Sequence, residues 1–267
     1  MQDDLNNILK WFNDNDLKLN ESKSNLVLFG SKQKLNSLSL TSPFQVFINN
    51  HPLKPINSVN FLGVTLDKHL SLDEHTVNIC SKVSRILGQL SGIKFLLPSN
   101  VRKIIYQSLI LPHFNYCSTV GSATTQKNLS LLHKTMNRTC RAVLDIKDIT
   151  HPTLEMYELL KWLPIEKQFL LNLGCEMFKC INNLNNYGLV FPNTHSDIHN
   201  YPTRNNIQFA LPPVNTLSDT KTLYYRGANL WNSIPMCIKN VPSFPIFKKK
   251  YKAYLLSVTS QQNNALS

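Results

Sequence analysis

The sequence predicts an α+β fold: a small helix-plus-antiparallel-strand segment, then a mainly α-helical stretch, then a loop-rich C-terminal segment with a terminal helix. Three observations carry that expectation. Residues 1–70 contain short apolar runs bounded by Gly, Pro and Asn, the signature of strands and tight turns. From residue 71 the apolar residues recur with a period near 3.6, and they do so to about residue 183. The composition is globular, since 42% hydrophobic and 16% charged among 267 residues is too apolar and too weakly charged for wholesale disorder. The domains expected on this basis are 1–70, 71–183 and 184–267.

Each element follows from its residues. Leu5, Ile8, Leu9 and Phe12 recur at helical spacing until the polar run at 13–16, so 2–14 is expected to be a short amphipathic helix. The apolar run at 25–29, closed by Gly30, predicts a strand. Residues 44–48, then Asn49 and Asn50, then 51–53 predict a hairpin, the asparagines supplying the positive φ of its turn. A further strand is expected at 59–66. Ile79, Val83, Ile86, Leu87 and Leu90 form the first long helical stripe; Val101, Ile104, Ile105, Ser108 and Leu109 form the next, with Pro98 and Pro112 at the ends. Helices are also expected at 125–145, 152–162 and 165–182. Asn182, Asn183, Asn185 and Asn186, with Gly188 and Pro192, mark a linker. A terminal helix at 244–256 carries Lys248, Lys249, Lys250 and Lys252.

Charge and composition narrow the function classes. The surplus of +12 and the pI near 9.4 favour a polyanion partner, nucleic acid before an anionic membrane. That surplus is uneven. Residues 1–70 carry 7 basic and 6 acidic side chains, 71–165 carry 11 and 6, and 166–267 carry 10 and 4. Only 8 glycines argue against a glycine-rich phosphate loop. No apolar stretch approaches the roughly 18 residues a membrane span needs, so no membrane is expected as partner. The acidic start, Met1-Gln2-Asp3-Asp4, has no apolar core behind it and argues against secretion. The six cysteines include no C-x-x-C pair, which predicts free thiols in a reducing compartment, inside the cell in cytoplasm or nucleus. His195 and His199 are four apart, but Ser196 stands where a metalloprotease helix needs Glu, so a loop and no metal site is expected.

The helix at 125–145 is the most informative element. At about 100° per residue, Lys127, Lys134, Arg138 and Arg141 fall within roughly 60° of one another. Leu129, Leu132, Met136, Cys140 and Val143 fall on the opposite side. One face then packs on a core while the other presents four cations over about 21 Å. No acidic residue interrupts the stripe, which is spaced to meet several phosphates of a duplex. These four cations, with Lys248, Lys249, Lys250 and Lys252, are the expected nucleic-acid-binding residues.

Asp3-Asp4 invites comparison with the metal-binding pair of a polymerase. Such a pair follows an aromatic residue in a tight turn between apolar strands, so that both carboxylates reach two divalent cations. Here only Met1 and Gln2 precede it and a helical pattern follows, so the acids are expected to form an acidic first turn of a helix. More telling is the order of motifs downstream. Trp11, Asn15, Leu17-Lys18-Leu19-Asn20, Lys23 and Phe29 are followed by Phe61-Leu62-Gly63-Val64-Thr65-Leu66-Asp67 and His75. Then come Phe114-Asn115-Tyr116-Cys117, Leu132-His133-Lys134-Thr135-Met136-Asn137-Arg138 with Arg141, Tyr201-Pro202-Thr203-Arg204-Asn205, and the run from Tyr225 to Pro235. Taken in that order, nearly the whole chain resembles the C-terminal part of reverse transcriptases from jockey-type non-LTR retrotransposons.

The resemblance implies a role for each segment. Lys23 matches a palm-motif lysine thought to assist pyrophosphate departure. Phe61, Leu62, Gly63 and Val64 are similar to the primer-grip hairpin. Residues 1–70 would be the end of the palm, 71–183 a thumb-like helical domain tracking RNA/DNA template–primer, and 184–267 the family's C-terminal segment. The fingers, most of the palm and the metal-binding aspartates would lie upstream of Met1, so no catalytic residue and no Mg²⁺ site is expected in this chain itself. Family members carry Trp-Gly shortly after Tyr-Cys, whereas Ser118-Thr119-Val120-Gly121 here lacks the tryptophan. The function implied is the template–primer-holding part of an RNA-directed DNA polymerase. The alternatives are a basic helical nucleic-acid-binding protein derived from a mobile element, or a non-functional remnant.

Overall fold

The computed structural model describes residues 2–41, 45–49, 51–151, 153–184, 193–198, 208–216 and 218–264. It divides the chain into two units, 1–77 and 78–267. In the first unit, helix α1 (Gln2–Asp14) opens with Asp3 and Asp4, both exposed, in the turn where carboxylates favour the helix dipole. Gln2 fastens that helix to strand β1 (Val46–Ile48): its Nε2 donates to the Phe47 carbonyl at 2.9 Å and its Oε1 accepts from the Phe47 amide at 3.0 Å. Strand β2 (His51–Leu53) pairs antiparallel with β1, Ile48 opposite His51, and Asn49 takes the positive φ of 46° that the sequence assigns to this turn. Residues 42–44 and 50 lie outside the described residues.

Two strand expectations are corrected. The run at 25–29 makes only a single bridge, Leu26 to Pro55, because proline has no N–H with which to extend a ladder. The strand expected at 59–66 is instead a hairpin of β3 (Ser58–Phe61) and β4 (Val64–Asp67), with Phe61 opposite Val64. Its turn residues, Leu62 at φ 48° and Gly63 at φ 82°, are both left-handed, as a type I′ turn requires. The turn is hard to see in sequence because a leucine fills a place that usually holds Asn, Asp or Gly. Helix α2 (Lys32–Thr41) is also additional; its leucines at 35, 38 and 40 make no continuous helical stripe.

The remaining elements are helical. They are α3 (Asp73–Ser91), within which the two units divide, α4 (Ser99–Leu109), α5 (Leu111–Asn115), α6 (Ser118–Gly121) and α7 (Gln126–Leu144). Then follow α8 (Thr153–Leu160), α9 (Ile165–Ile181), α10 (His195–Ile198), α11 (Leu223–Ser233), α12 (Met236–Lys239) and α13 (Phe244–Asn264). Helix α8 stops two residues before the expected end because Lys161 turns left-handed, at φ 54°. A single helical turn at α10 replaces the expected loop, while His199 lies outside the described residues. So do 185–192 of the expected linker and the 201–205 motif.

Two apolar clusters hold the second unit. One gathers Val83, Leu87, Tyr106, Ile110, Leu132, Met136, Cys140, Trp162, Ile165 and Phe169 from α3 to α9. The other gathers Cys175, Met177, Phe178, Ala228, Trp231, Phe247, Tyr251 and Leu255 from α9, α11 and α13. Phe178 and Phe247 stack with ring centroids 4.5 Å apart, and Trp231 stacks on Phe247 at 5.8 Å. Burying each of these rings is worth about 1.5–3 kcal/mol. Two glycines permit the close approach: a Cβ on Gly174 would lie 2.5 Å from Tyr251 Cε1, and one on Gly227 2.5 Å from Met177 Sδ. Gly227 and Ala228 also explain why α11 escapes a periodicity reading. Its inner face is too small to register as an apolar stripe.

Candidate nucleic-acid interface

Helix α7 is fixed at both ends by its own sequence. The Thr125 side chain caps its start by accepting from the Asn128 amide at 3.4 Å, and Asp145, left-handed at φ 58°, closes it. Asp145 in turn receives Lys94 at 2.7 Å and Arg102 at 3.8 Å. The hydrogen bond and charge of Lys94 hold its carboxyl below the usual carboxylate range, with Arg102 and Lys147 adding to the effect. The inner face of α7, Leu132, Met136, Cys140 and Val143, is buried. Burial pushes the Cys140 thiol up to about 12, the nearby Arg141 only partly opposing it.

The cations of the opposite face are not equivalent. Lys127, Lys134 and Arg138 are exposed. Arg138 leans toward α3, donating from Nη1 to Ser84 Oγ at 3.4 Å, and the neighbouring Arg85 is also exposed. Arg141 is drawn inward: Nη2 donates to the Ile149 carbonyl at 3.1 Å, and its buried Nε has no acceptor among the described residues. It braces the loop after α7 as much as it offers charge. The lysines of α13 split as well. Phe247, Tyr251 and Leu255 take the buried face, leaving Lys248, Lys249 and Lys250 exposed; of these only Lys248, with the half-buried Lys252, lines a cavity together with Met136. Met136 is on the buried face of α7, about 180° from Lys127. The α7 cations and the Lys248–Lys252 pair therefore lie on different sides of that helix. Lys103 of α4, which no sequence pattern singles out, stands near enough to Lys252 to repel it.

The hairpin carrying Phe61, Leu62, Gly63 and Val64 is held from behind. Asp67 accepts from the amides of Leu72 at 2.8 Å, His69 at 3.1 Å and Ser71 at 3.2 Å. Burial raises its pKa, but those amide bonds outweigh it, and the carboxyl sits below its usual range. The buried His75 accepts the Thr65 amide on Nδ1 at 3.4 Å. The Asp67 and His75 of the motif thus anchor the hairpin to the turn that leads into α3. At its tip Phe61 is 61% exposed and Leu62 76%. Lys23, exposed, ends a short 3₁₀ turn (Glu21–Lys23) capped by Asn20.

Over 138 residues, 50% of its length, this chain is 25% identical to a probable RNA-directed DNA polymerase from transposon X-element of Drosophila melanogaster. Half of the chain is thus similar to part of a transposon polymerase. The matched stretch is 14% of that protein, so this chain spans only a small part of it. No family model matches the chain, and no solved structure does. No helix among the described residues is long and apolar enough to cross a membrane.

Proposed function

We propose that this chain is a piece of a jockey-type non-LTR retrotransposon reverse transcriptase, from the end of the palm onward, and that it holds template–primer rather than carrying out phosphoryl transfer. The relation to a transposon polymerase over half of the chain carries the reading. The exposed Lys127, Lys134 and Arg138 on α7 offer a duplex backbone three charges in a row, with no acidic residue between them. The exposed tip of Phe61 and Leu62 is the surface a primer end would meet. Residues 71–183 would act as the thumb and 1–70 as the palm remnant.

Mg²⁺ in a polymerase needs convergent carboxylates to activate the 3′ hydroxyl and stabilise the leaving group. Asp3 and Asp4 do not fit that task. They are exposed successive residues of α1, about 100° apart around its axis. Asp3 and Asp4 therefore do not form a two-metal carboxylate pair, and Lys23 alone cannot replace one.

Binding of a fluorescent RNA–DNA duplex, measured by anisotropy across a salt series, tests the reading. The K127Q/K134Q/R138Q variant should weaken binding and reduce the slope of log K against log salt by up to about 3 units. An unchanged slope in a folded variant would mean that the α7 face only meets solvent.

A further inference from the structure

A cavity of about 180 Å³ opens between α4, α5, α7, α9 and α13. Its polar lining is Lys248, Lys252, Gln107, Asn115 and Gln168, and no acidic side chain is among its lining residues. Trp162, only 5% exposed, forms part of the cavity's buried wall, and its indole N–H is closed off from solvent. The amides around it are already ordered. Gln168 Nε2 donates to Asn172 Oδ1 at 3.0 Å, and Asn172 Nδ2 donates to Asn115 Oδ1 at 3.2 Å and Ser118 Oγ at 2.7 Å. Burial, and then the charges of Lys103 and Lys248, push the Lys252 pKa down. Three like charges are thus gathered, and none of them has a carboxylate partner among the ion pairs of the described residues.

Such a set of donors lacks one thing, a compact anion. We propose that this cavity is a phosphate-binding pocket, which takes a single phosphate group through Lys248 and Lys252, with Lys103 close by. The volume admits a tetrahedral oxyanion with some of its waters, a water's share of the liquid being about 30 Å³. The apolar remainder of the lining, Phe114 and Met136 included, strengthens the ion–lysine contacts by keeping the local dielectric low. The phosphate could belong to free phosphate or to the end of a nucleic-acid strand. The pocket goes beyond the duplex-holding reading and does not depend on it, since the α7 cations lie on the other side of that helix.

The test uses the full chain, titrated with inorganic phosphate against sodium chloride of equal ionic strength. Phosphate should raise Tm saturably and shift the indole N–H resonance of Trp162, while those of Trp11 and Trp231 stay in place. K248Q/K252Q should weaken this response at least 10-fold. K249Q/K250Q and K127Q/K134Q/R138Q should leave it intact, so loss of the duplex-binding reading would not remove it. Should K248Q/K252Q not fold, K103Q provides the second variant, with several-fold weaker binding expected. A 5′-phosphorylated oligonucleotide that outcompetes its 5′-hydroxyl twin in the wild type, but not in the variant, assigns the pocket to strand ends. Equal competition by the twins, with phosphate binding retained, assigns it to the free anion. A wild-type response no larger than that to chloride, or one unchanged in the lysine variants, overturns the proposal.

Discussion

Asp67 does for the first unit what no apolar side chain there can do: it satisfies three amides across a turn whose Leu70 and Leu72 are both left-handed. D67A should cost about 1–2 kcal/mol, the low end of a multiply bonded cap because the carboxylate is partly exposed. Its sign with pH follows from the depressed pKa. The folded carboxyl titrates below its ordinary value of 3.8, so its stabilisation is complete above that value and fades as pH falls through the lower, folded pKa. The protection of the Ser71 and Leu72 amides, taken relative to their intrinsic exchange rates, should therefore fall on acidification, and D67N should flatten that acid response. In the second unit, G174A would press a methyl to within 2.5 Å of Tyr251 Cε1 and should cost about 1–3 kcal/mol. A lowered urea midpoint at unchanged m-value is the expected observation. Thiol chemistry offers a third check. The exposed Cys237 should react first with a disulfide reagent, while Cys140, held at about 12, and Cys175, at about 11, should wait for unfolding. For both buried thiols the cause is burial, only partly offset by nearby cations.

Among elements, the β3–β4 hairpin sets local preference against what its tip displays. Leu62 occupies the first left-handed position of a type I′ turn, where Asn is favoured and a leucine is strained. L62N should stabilise the hairpin by up to about 1 kcal/mol, seen as slower amide exchange at Phe61 and Val64, the pair that closes the turn. If Leu62 meets the primer, the same change should weaken binding of a recessed-end duplex more than that of a blunt one. This hairpin also marks how far the elements were legible in sequence. The long helices announce themselves because their stripes of Val, Ile and Leu face a core over several turns, as on α3 and α7. The Asn49 turn was legible for the same kind of reason, asparagine accepting a positive φ. The rest turned on spatial partners that a linear pattern does not contain. Pro55 denied the run at 25–29 a ladder, and the small inner face of α11 concealed a helix packed against Met177. The candidate site divides likewise. The α7 stripe could be drawn from 100° steps alone, but the withdrawal of Arg141 toward Ile149 and the meeting of Lys103 with Lys252 needed the tertiary fold.

At the scale of the molecule the two units are unequally supplied with buried apolar surface. The first buries Val46, Ile48, Val64 and Leu72 among its described residues while leaving Ile8, Trp11, Leu17, Phe29 and Phe61 exposed. The second has both large clusters. Unfolding should therefore begin in residues 1–77, and limited proteolysis should remove them while much of 78–267 persists. Equal survival of the two units would show that the first is stable by itself. With Asp3 and Asp4 on a helical turn, the purified chain should not extend a primed RNA template in the presence of deoxynucleotides and Mg²⁺ or Mn²⁺. Heat-sensitive, template-directed extension would contradict that. Helix α9 has a consequence of another kind. It gives Ile165 and Phe169 to one cluster and Cys175, Met177 and Phe178 to the other, so neither cluster can come apart without taking down a wall of its neighbour. The second unit should thus melt in one calorimetric peak, with equal calorimetric and van't Hoff enthalpies. The middle of α9 should act as its slowest clock, its amides exchanging with deuterium only when the whole unit opens.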